Sequence, residues 1–100
     1  MQTENVNIEV NSDSKLSATL KEKLQNLPLT PGVYQFKDIN GKLLYVGKAK
    51  ILRNRVRQYF QSKPQSGILN AMISKIADLE MISTDNEVEA LILEQNLIKS

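Results

Sequence analysis

Three tyrosines, a run of cations and one carboxylate hold most of the chemical capacity of this chain. Tyr34 and Tyr45 stand on either side of a turn, Lys48 and Lys50 follow, and Arg53, Arg55 and Arg57 lead to Tyr59. Eight of the thirteen basic residues lie between residues 34 and 63, against a single acid, Asp38. The rest of the chain holds five basic residues and ten acids, so a net charge of +2 conceals a strongly dipolar molecule. A basic stretch of this kind suits a phosphate backbone, which takes contacts without base readout. Lys48 and Lys50 fall at the start of a predicted helix, where the dipole disfavours cations. An anion held by free backbone N–H groups would relieve that conflict. A solvated basic helix face is the competing explanation.

The carboxylate is Glu94. At helical spacing its neighbours are Ala90, Leu91, Leu97 and Ile98, all apolar. A carboxylate centred in an apolar arc is costly unless it is paired, metal-bound or at the edge of a site. An ion pair with Arg55 or a lysine is one reading, and a metal-binding carboxylate facing the tyrosines is the other. Glu87 and Glu89 are explained by the first turn of the same helix. With no cysteine and no histidine, a metal would rest on oxygen ligands, which favours Mg²⁺, Mn²⁺ or Ca²⁺ over zinc.

These side chains need elements to position them. Asn40-Gly41 between β-rich flanks predicts a hairpin with a two-residue type I′ turn. That turn pairs Ile39 with Lys42, and so sets Phe36 opposite Tyr45 and Tyr34 opposite Gly47. Alternation then puts Tyr34, Phe36 and Tyr45 on one face, with Gly47 leaving room beside Tyr34. Taken alone, this is an aromatic cluster over a core. Gly47 releases the strand, and a helix follows from about Ala49 or Lys50 with Leu52, Val56, Tyr59 and Phe60 on one arc. Arg53 and Arg57 flank one side of the arc. Arg55 flanks the other, one turn before Tyr59.

Upstream, residues 1–13 read as a polar, acidic, flexible tail. Leu16, Leu20, Leu24 and Leu27 form the seam of a leading helix over 14–27 that Pro28 ends. It packs on the domain or on a partner. Downstream, Ser62-Lys63-Pro64 is a break. Ile68, Leu69, Met72, Ile73 and Ile76 predict a scaffold helix over about 65–78, and Leu79–Ser83 a third strand. Thr84-x-x-Glu87 has the form of a capping box for a last helix from about Asn86. One hundred residues make one domain at most. The expected fold is a small α/β domain over 14–100, with about three mainly antiparallel strands (33–37, 43–47 and 79–83) flanked by helices. The tyrosines, Arg55 and Glu94 should converge on one concave side. The sequence has no apolar run long enough to span a membrane and no signal-peptide region, so a cytoplasmic location is expected.

Gly32-Val33-Tyr34, Tyr45-Val46-Gly47, and an arginine and a tyrosine on the next helix resemble the GIY-YIG nuclease superfamily. The run Tyr45-Val46-Gly47-Lys48-Ala49-Lys50 with Arg55 and Tyr59-Phe60 is most similar to the N-terminal endonuclease domain of the UvrC family, the nuclease component of excinuclease ABC. Leu93-Glu94-Gln95-Asn96-Leu97-Ile98-Lys99 matches that family's third motif and carries its catalytic glutamate onto Glu94. The resemblance spans roughly residues 28–99.

The resemblance implies a GIY-YIG-like fold and metal-dependent phosphodiester hydrolysis. It implies catalytic roles for Tyr34, Tyr45, Lys48, Arg55, Tyr59 and Glu94, with one Mg²⁺ or Mn²⁺ on Glu94. DNA contacts fall to Lys48, Lys50, Arg53, Arg55 and Arg57. Arg55 would fork onto a phosphate, Tyr34 or Tyr45 would orient or deprotonate the attacking water, and Tyr59 would bind phosphate or hold Arg55. A phenol with a pKa of about 10 is a poor base at neutral pH, so Lys48, Arg55 or the metal would have to lower it. In the family this domain makes the incision 3′ to a lesion in nucleotide excision repair, a part of the SOS response. The helicase-like excinuclease component UvrB, bound at the damage, recruits it. The family continues past the glutamate to a catalytic asparagine and to partner-binding regions. The expectation is therefore a monomeric fragment of a longer protein, truncated at its C-terminal end. It would act on damaged duplex DNA and meet UvrB through regions outside this chain. Two alternatives stand beside this reading: a non-catalytic nucleic-acid-binding module, and a homing-type or junction-resolving GIY-YIG enzyme.

Overall fold

A computed structural model describes residues 18–61 and 67–99. The expected tail, the first turn of the leading helix and the break at Pro64 lie outside the described residues. Helix α1 runs Ala18–Gln25. It ends two residues short of the 27 expected, and its seam packs on the domain itself: Leu20 and Leu24 are buried in the domain's own core, as is Leu27 just beyond the helix. Each such leucine contributes roughly 1.5–3 kcal/mol by burial. Lys23 fastens the helix to the sheet, its Nζ donating to Asp78 Oδ1 at 2.8 Å and to the Leu79 carbonyl at 2.9 Å.

The sheet is antiparallel, with β1 (Gly32–Lys37) between β2 (Leu43–Ala49) and β3 (Asp78–Ser83). The expected register holds where it matters, with Phe36 opposite Tyr45 and Tyr34 opposite Gly47. The turn that produces it is different. Only Gly41 has positive φ, at 81°, and a type I′ turn would require the same of Asn40. The loop is instead Ile39-Asn40-Gly41, closed by Asp38 and Lys42. The Asp38 carboxylate holds it, accepting from the backbone N–H groups of Asn40 and Lys42 at 2.9 Å each. A three-residue loop alone would slip the register by one. An irregularity between Phe36 and Lys37, where Lys37 meets Leu43 and Leu44 is passed over, restores it.

The two faces of the sheet carry separate cores. Tyr34, Phe36, Ala49 and Leu79 pack with α1 and with α2 (Leu52–Tyr59), through Leu52, Val56, Tyr59 and Phe60. Val33 and Val46 point the other way and meet α4 (Glu87–Lys99) through Ala90, Leu93 and Leu97. Strand β2 runs two residues past Gly47, to Ala49, and α2 starts at Leu52.

Helix α3 (Gly67–Ile73) ends at Ile73, short of the 78 expected, and the expected start at 65 lies outside the described residues. Ile76 fits the helical spacing, yet it is buried from the loop that enters β3, and Ala77 N–H donates to the Lys37 carbonyl at 2.8 Å. Core burial has claimed a residue that periodicity assigns to the helix. The cap of α4 also moves. Asn86, not Thr84, caps it, its Oδ1 accepting from Glu89 N–H at 2.9 Å, while Glu89 Oε1 accepts from Asp85 N–H at 2.8 Å.

Candidate active site at the edge strand

The hairpin and α2 bring three phenols together. The Tyr34 ring centroid lies 5.7 Å from that of Tyr59 and 6.1 Å from that of Tyr45, with Tyr45 and Tyr59 also 6.1 Å apart. Phe36 backs them, its ring edge-on to Tyr59 at 4.9 Å. Gly47 makes this possible, because a Cβ there would collide with the Tyr34 ring and hydroxyl. The Tyr34 and Tyr59 hydroxyls share a hydrogen bond of 2.8 Å. Exposure separates the three: Tyr34 is 1% exposed, Tyr59 9% and Tyr45 40%.

Arg55 is held at both ends. Its Nε donates to the Tyr34 hydroxyl at 3.4 Å and its Nη1 to Gln58 Oε1 at 3.2 Å. The guanidinium carbon lies 5.8 Å from the Tyr59 ring centroid, a cation–π contact. A pocket of about 190 Å³ opens beside it, lined by Arg55, Gln58, Tyr59 and Leu69. Gln58 has no place among the residues expected from sequence. Its position three residues after Arg55 is the signal that would have found it.

Burial is the first cause of every phenol shift here. It pushes Tyr59 up to about 12, reinforced by the hydrogen bond with Tyr34. It raises Tyr34, against the opposing pull of hydrogen bonds from Tyr59 and Arg55. It raises Tyr45, with the Tyr59 hydroxyl and the charge of Glu94 acting in the same direction. The lowered phenol expected from sequence is therefore absent from the protein without a bound cation. The hydrogen bond to Tyr34 is the first cause holding Arg55 above its ordinary value.

Glu94 sits half-buried on α4, which covers Val33 and Val46 on the opposite face of the sheet from the tyrosines, and its charge adds to the raising of Tyr45. The tyrosines and α4 thus lie on opposite faces of a sheet whose edge strand is β2, rather than in one concave face. Of the apolar neighbours that the spacing gives Glu94, Ala90 is buried, whereas Leu91 and Ile98 are exposed. Among the described residues the ion pairs are Lys23–Asp78, Lys37–Glu80 and Lys50–Glu87, and Glu94 takes part in none of them. The ion-pair reading of Glu94 thus finds no support there.

A half-buried carboxylate with no ion pair among the described residues fits Mg²⁺ or Mn²⁺. Such ions keep several waters and need only one or two carboxylates. Among the described residues no group of three acidic, histidine or cysteine side chains could cage a metal.

The remaining cations are less convergent. Lys48 is exposed and, by alternation with Val46, lies on the α4 face, away from Tyr34. Lys50 is exposed and 4.0 Å from Glu87. Arg53 Nε donates to the Leu27 carbonyl at 3.1 Å, and Arg57 is half-buried. The N–H groups expected to be free at the start of α2 are already used, Leu52 donating to Thr30 O and Arg53 to Pro28 O. Loop carbonyls thus fill the place given to an anion.

Comparison with known proteins bears on the fold and the family. A family model described as a UvrC-like GIY-YIG domain matches residues 30–100. UvrABC system protein C of Caldicellulosiruptor saccharolyticus is 65% identical over 81 residues, which are 81% of this chain and 14% of that protein. The Desulfitobacterium hafniense protein of the same name is 60% identical over 80 residues, 80% of this chain and 13% of that one. This chain therefore spans about one-seventh of the length of such relatives. The magnesium-bound GIY-YIG N-terminal endonuclease domain of UvrC from Thermotoga maritima superposes with a TM-score of 0.72 at 42% identity, covering 83% of this chain and 90% of that one. A tyrosine-to-phenylalanine point mutant of that domain, also bound to its catalytic divalent cation, matches at 41% identity with the same TM-score of 0.72.

Proposed function

The chain belongs to the UvrC-like GIY-YIG domain family, and from that premise we propose that it is a DNA endonuclease domain dependent on Mg²⁺ or Mn²⁺. The observation that carries this reading is the Tyr34–Tyr59–Arg55 network with Tyr45 packed against it, together with a Glu94 carboxylate that forms no ion pair among the described residues and whose charge bears on Tyr45.

Hydrolysis joins a water oxygen to phosphorus, breaks one P–O ester bond and moves a proton to the leaving oxygen. Arg55 receives the phosphate. Tyr34 and Gln58 occupy its Nε and Nη1 donors, so the exposed guanidinium is already oriented and keeps further N–H groups for the phosphate. Tyr45 is the tyrosine that water can reach, and it orients the nucleophile, whereas Tyr34 is sealed from solvent. Tyr59 holds Tyr34 and stacks under Arg55, a positioning role. Glu94 holds the metal, and Mg²⁺ or Mn²⁺ bound there supplies Lewis-acid polarisation of a phosphate oxygen and a charge that favours ionised oxygens nearby. Lys48, Lys50, Arg53 and Arg57 supply phosphate contacts that position the duplex without reading its bases.

At the scale of the longer relatives, the proposal extends to the 3′ incision of nucleotide excision repair on damaged duplex DNA in the cytoplasm. UvrB would be engaged through regions outside this chain, and this domain would act as a monomer. Among the described residues, no helix is long and apolar enough to cross a membrane.

A Mn²⁺ titration of isotope-labelled protein tests the reading without DNA or partner. Paramagnetic broadening should centre on Glu94 and reach Tyr45, Tyr34 and Arg55. Broadening confined to Asp78, Glu80, Asp85, Glu87 and Glu89 would overturn it in favour of a non-catalytic binding module.

A further inference from the structure

The pocket beyond Arg55 has no task in the hydrolysis itself. We propose that it is a subsite for the nucleobase of a nucleotide adjoining the cleaved phosphodiester, with Gln58 and Leu69 as its base-contacting walls. The inference rests on the nuclease reading, because Arg55 is the wall shared by the phosphate and the pocket.

Three surfaces argue for a base rather than a second phosphate. The Arg55 guanidinium is a flat, exposed cation already stacked above the Tyr59 ring, and such a plane offers its outer side to another π system. Gln58 is exposed, and Arg55 Nη1 fixes its amide by donating to Oε1. That choice of orientation leaves the Gln58 NH₂ group as a pair of donors, unengaged among the described residues, for a ring nitrogen or carbonyl. Leu69, half-buried on α3, closes the pocket with apolar surface. A phosphate would use the cation alone, while a base uses its face and its edge together. Tyr34 and Gln58 take the Nε and Nη1 donors, and Arg55 is also a wall of the pocket, so phosphate site and base site adjoin at one guanidinium. One amide and one leucine select for a base over no base, and only weakly among the four.

The test compares thymidine 3′,5′-bisphosphate with its abasic deoxyribose counterpart, by NMR on the labelled chain. The base-bearing ligand should shift the Gln58 side-chain amide and the Leu69 methyls, and bind about fivefold or more tightly than the abasic one. Leu69→Ser, which leaves both Arg55 hydrogen bonds in place, should erase that advantage and leave abasic binding unchanged. Gln58→Ala should erase it too and also weaken abasic binding, because it frees Arg55 Nη1. Equal affinity for the two ligands, or equal shifts at Gln58 and Leu69 with the abasic one, would overturn the subsite and leave the nuclease reading standing. Base-dependent shifts without Mn²⁺ broadening at Glu94 would do the reverse, leaving a nucleotide pocket and removing the nuclease.

Discussion

The hydroxyls of Tyr34 and Tyr59 lie 2.8 Å apart inside the core, and the Tyr34 oxygen also accepts from Arg55 Nε. A buried phenol pair therefore anchors the cation that the site presents to solvent. Buried phenols resist ionisation, and that resistance is measurable. Tyr59 is pushed up to about 12, and Tyr34 and Tyr45 are both raised. The fold stabilises the protonated forms. This contribution is complete below the unfolded phenol pKa of about 10 and is lost as pH rises through the folded values. Near-ultraviolet phenolate absorbance should therefore appear late, together with loss of helical circular dichroism. Tyr59→Phe should remove the highest step and lower stability by about 1 kcal/mol. Three phenols titrating normally in the folded protein would contradict the packing.

Gly47→Ala should destabilise the domain by roughly 1–3 kcal/mol, because the added carbon meets the Tyr34 ring and hydroxyl and forces the cluster to shift. Cleavage should fall by about 100-fold, since Arg55 moves with Tyr34. Thermal melting and a nicking assay read the two effects. An unchanged melting temperature would show that the close approach is unimportant.

Glu94→Gln should leave the stability within about 1 kcal/mol of the parent in the absence of metal. Metal-dependent nicking should fall on the order of 1,000-fold, with DNA affinity unchanged. Retained cleavage by the purified variant would remove Glu94 from the mechanism.

Lys23→Met tests the tie between α1 and β3. The Lys23 hydrogen bond is the first cause that holds Asp78 below the ordinary carboxylate range. The stability it gives is present above about pH 4 and fades as pH falls through the depressed pKa. Both side chains are partly exposed, so the loss at neutral pH should be only about 0.5–1 kcal/mol. The gap between variant and parent should narrow in acid. A gap that is constant with pH would mean the Leu79 carbonyl bond, not the carboxylate, holds the helix.

Much of this arrangement is legible in residue types. Tyr34, Phe36 and Tyr45 announce their shared face because strand alternation is local, and Phe36 pairs with Tyr45 as the alternation requires. The turn is not legible, because Asn40-Gly41 points to a two-residue loop, while the Asp38 carboxylate stabilises a longer one and an irregularity beside Lys37 absorbs the difference. Ile76 reads as helical because burial from a loop leaves the same spacing as burial from a helix. Glu94 stands out by its apolar neighbours, but nothing local says on which face of the sheet α4 packs. The loop carbonyls at the start of α2 are invisible for the same reason, since Thr30 and Pro28 reach Leu52 and Arg53 only through the tertiary fold.

The division of the core between two faces has a thermodynamic consequence. Tyr34 and Tyr59, which hold Arg55, belong to the large cluster under α1 and α2, whereas Glu94 rides on a helix seated, among the described residues, through Ala90, Leu93 and Leu97. The two parts of the site therefore belong to units of unequal cooperativity, and α4 can lift without unfolding the sheet. A ligand that touches both parts acts as a clasp, and part of its binding free energy goes into holding α4 down. Amide hydrogen exchange along α4 should run ahead of that in β1 in the free protein, and saturating Mg²⁺ should slow it selectively.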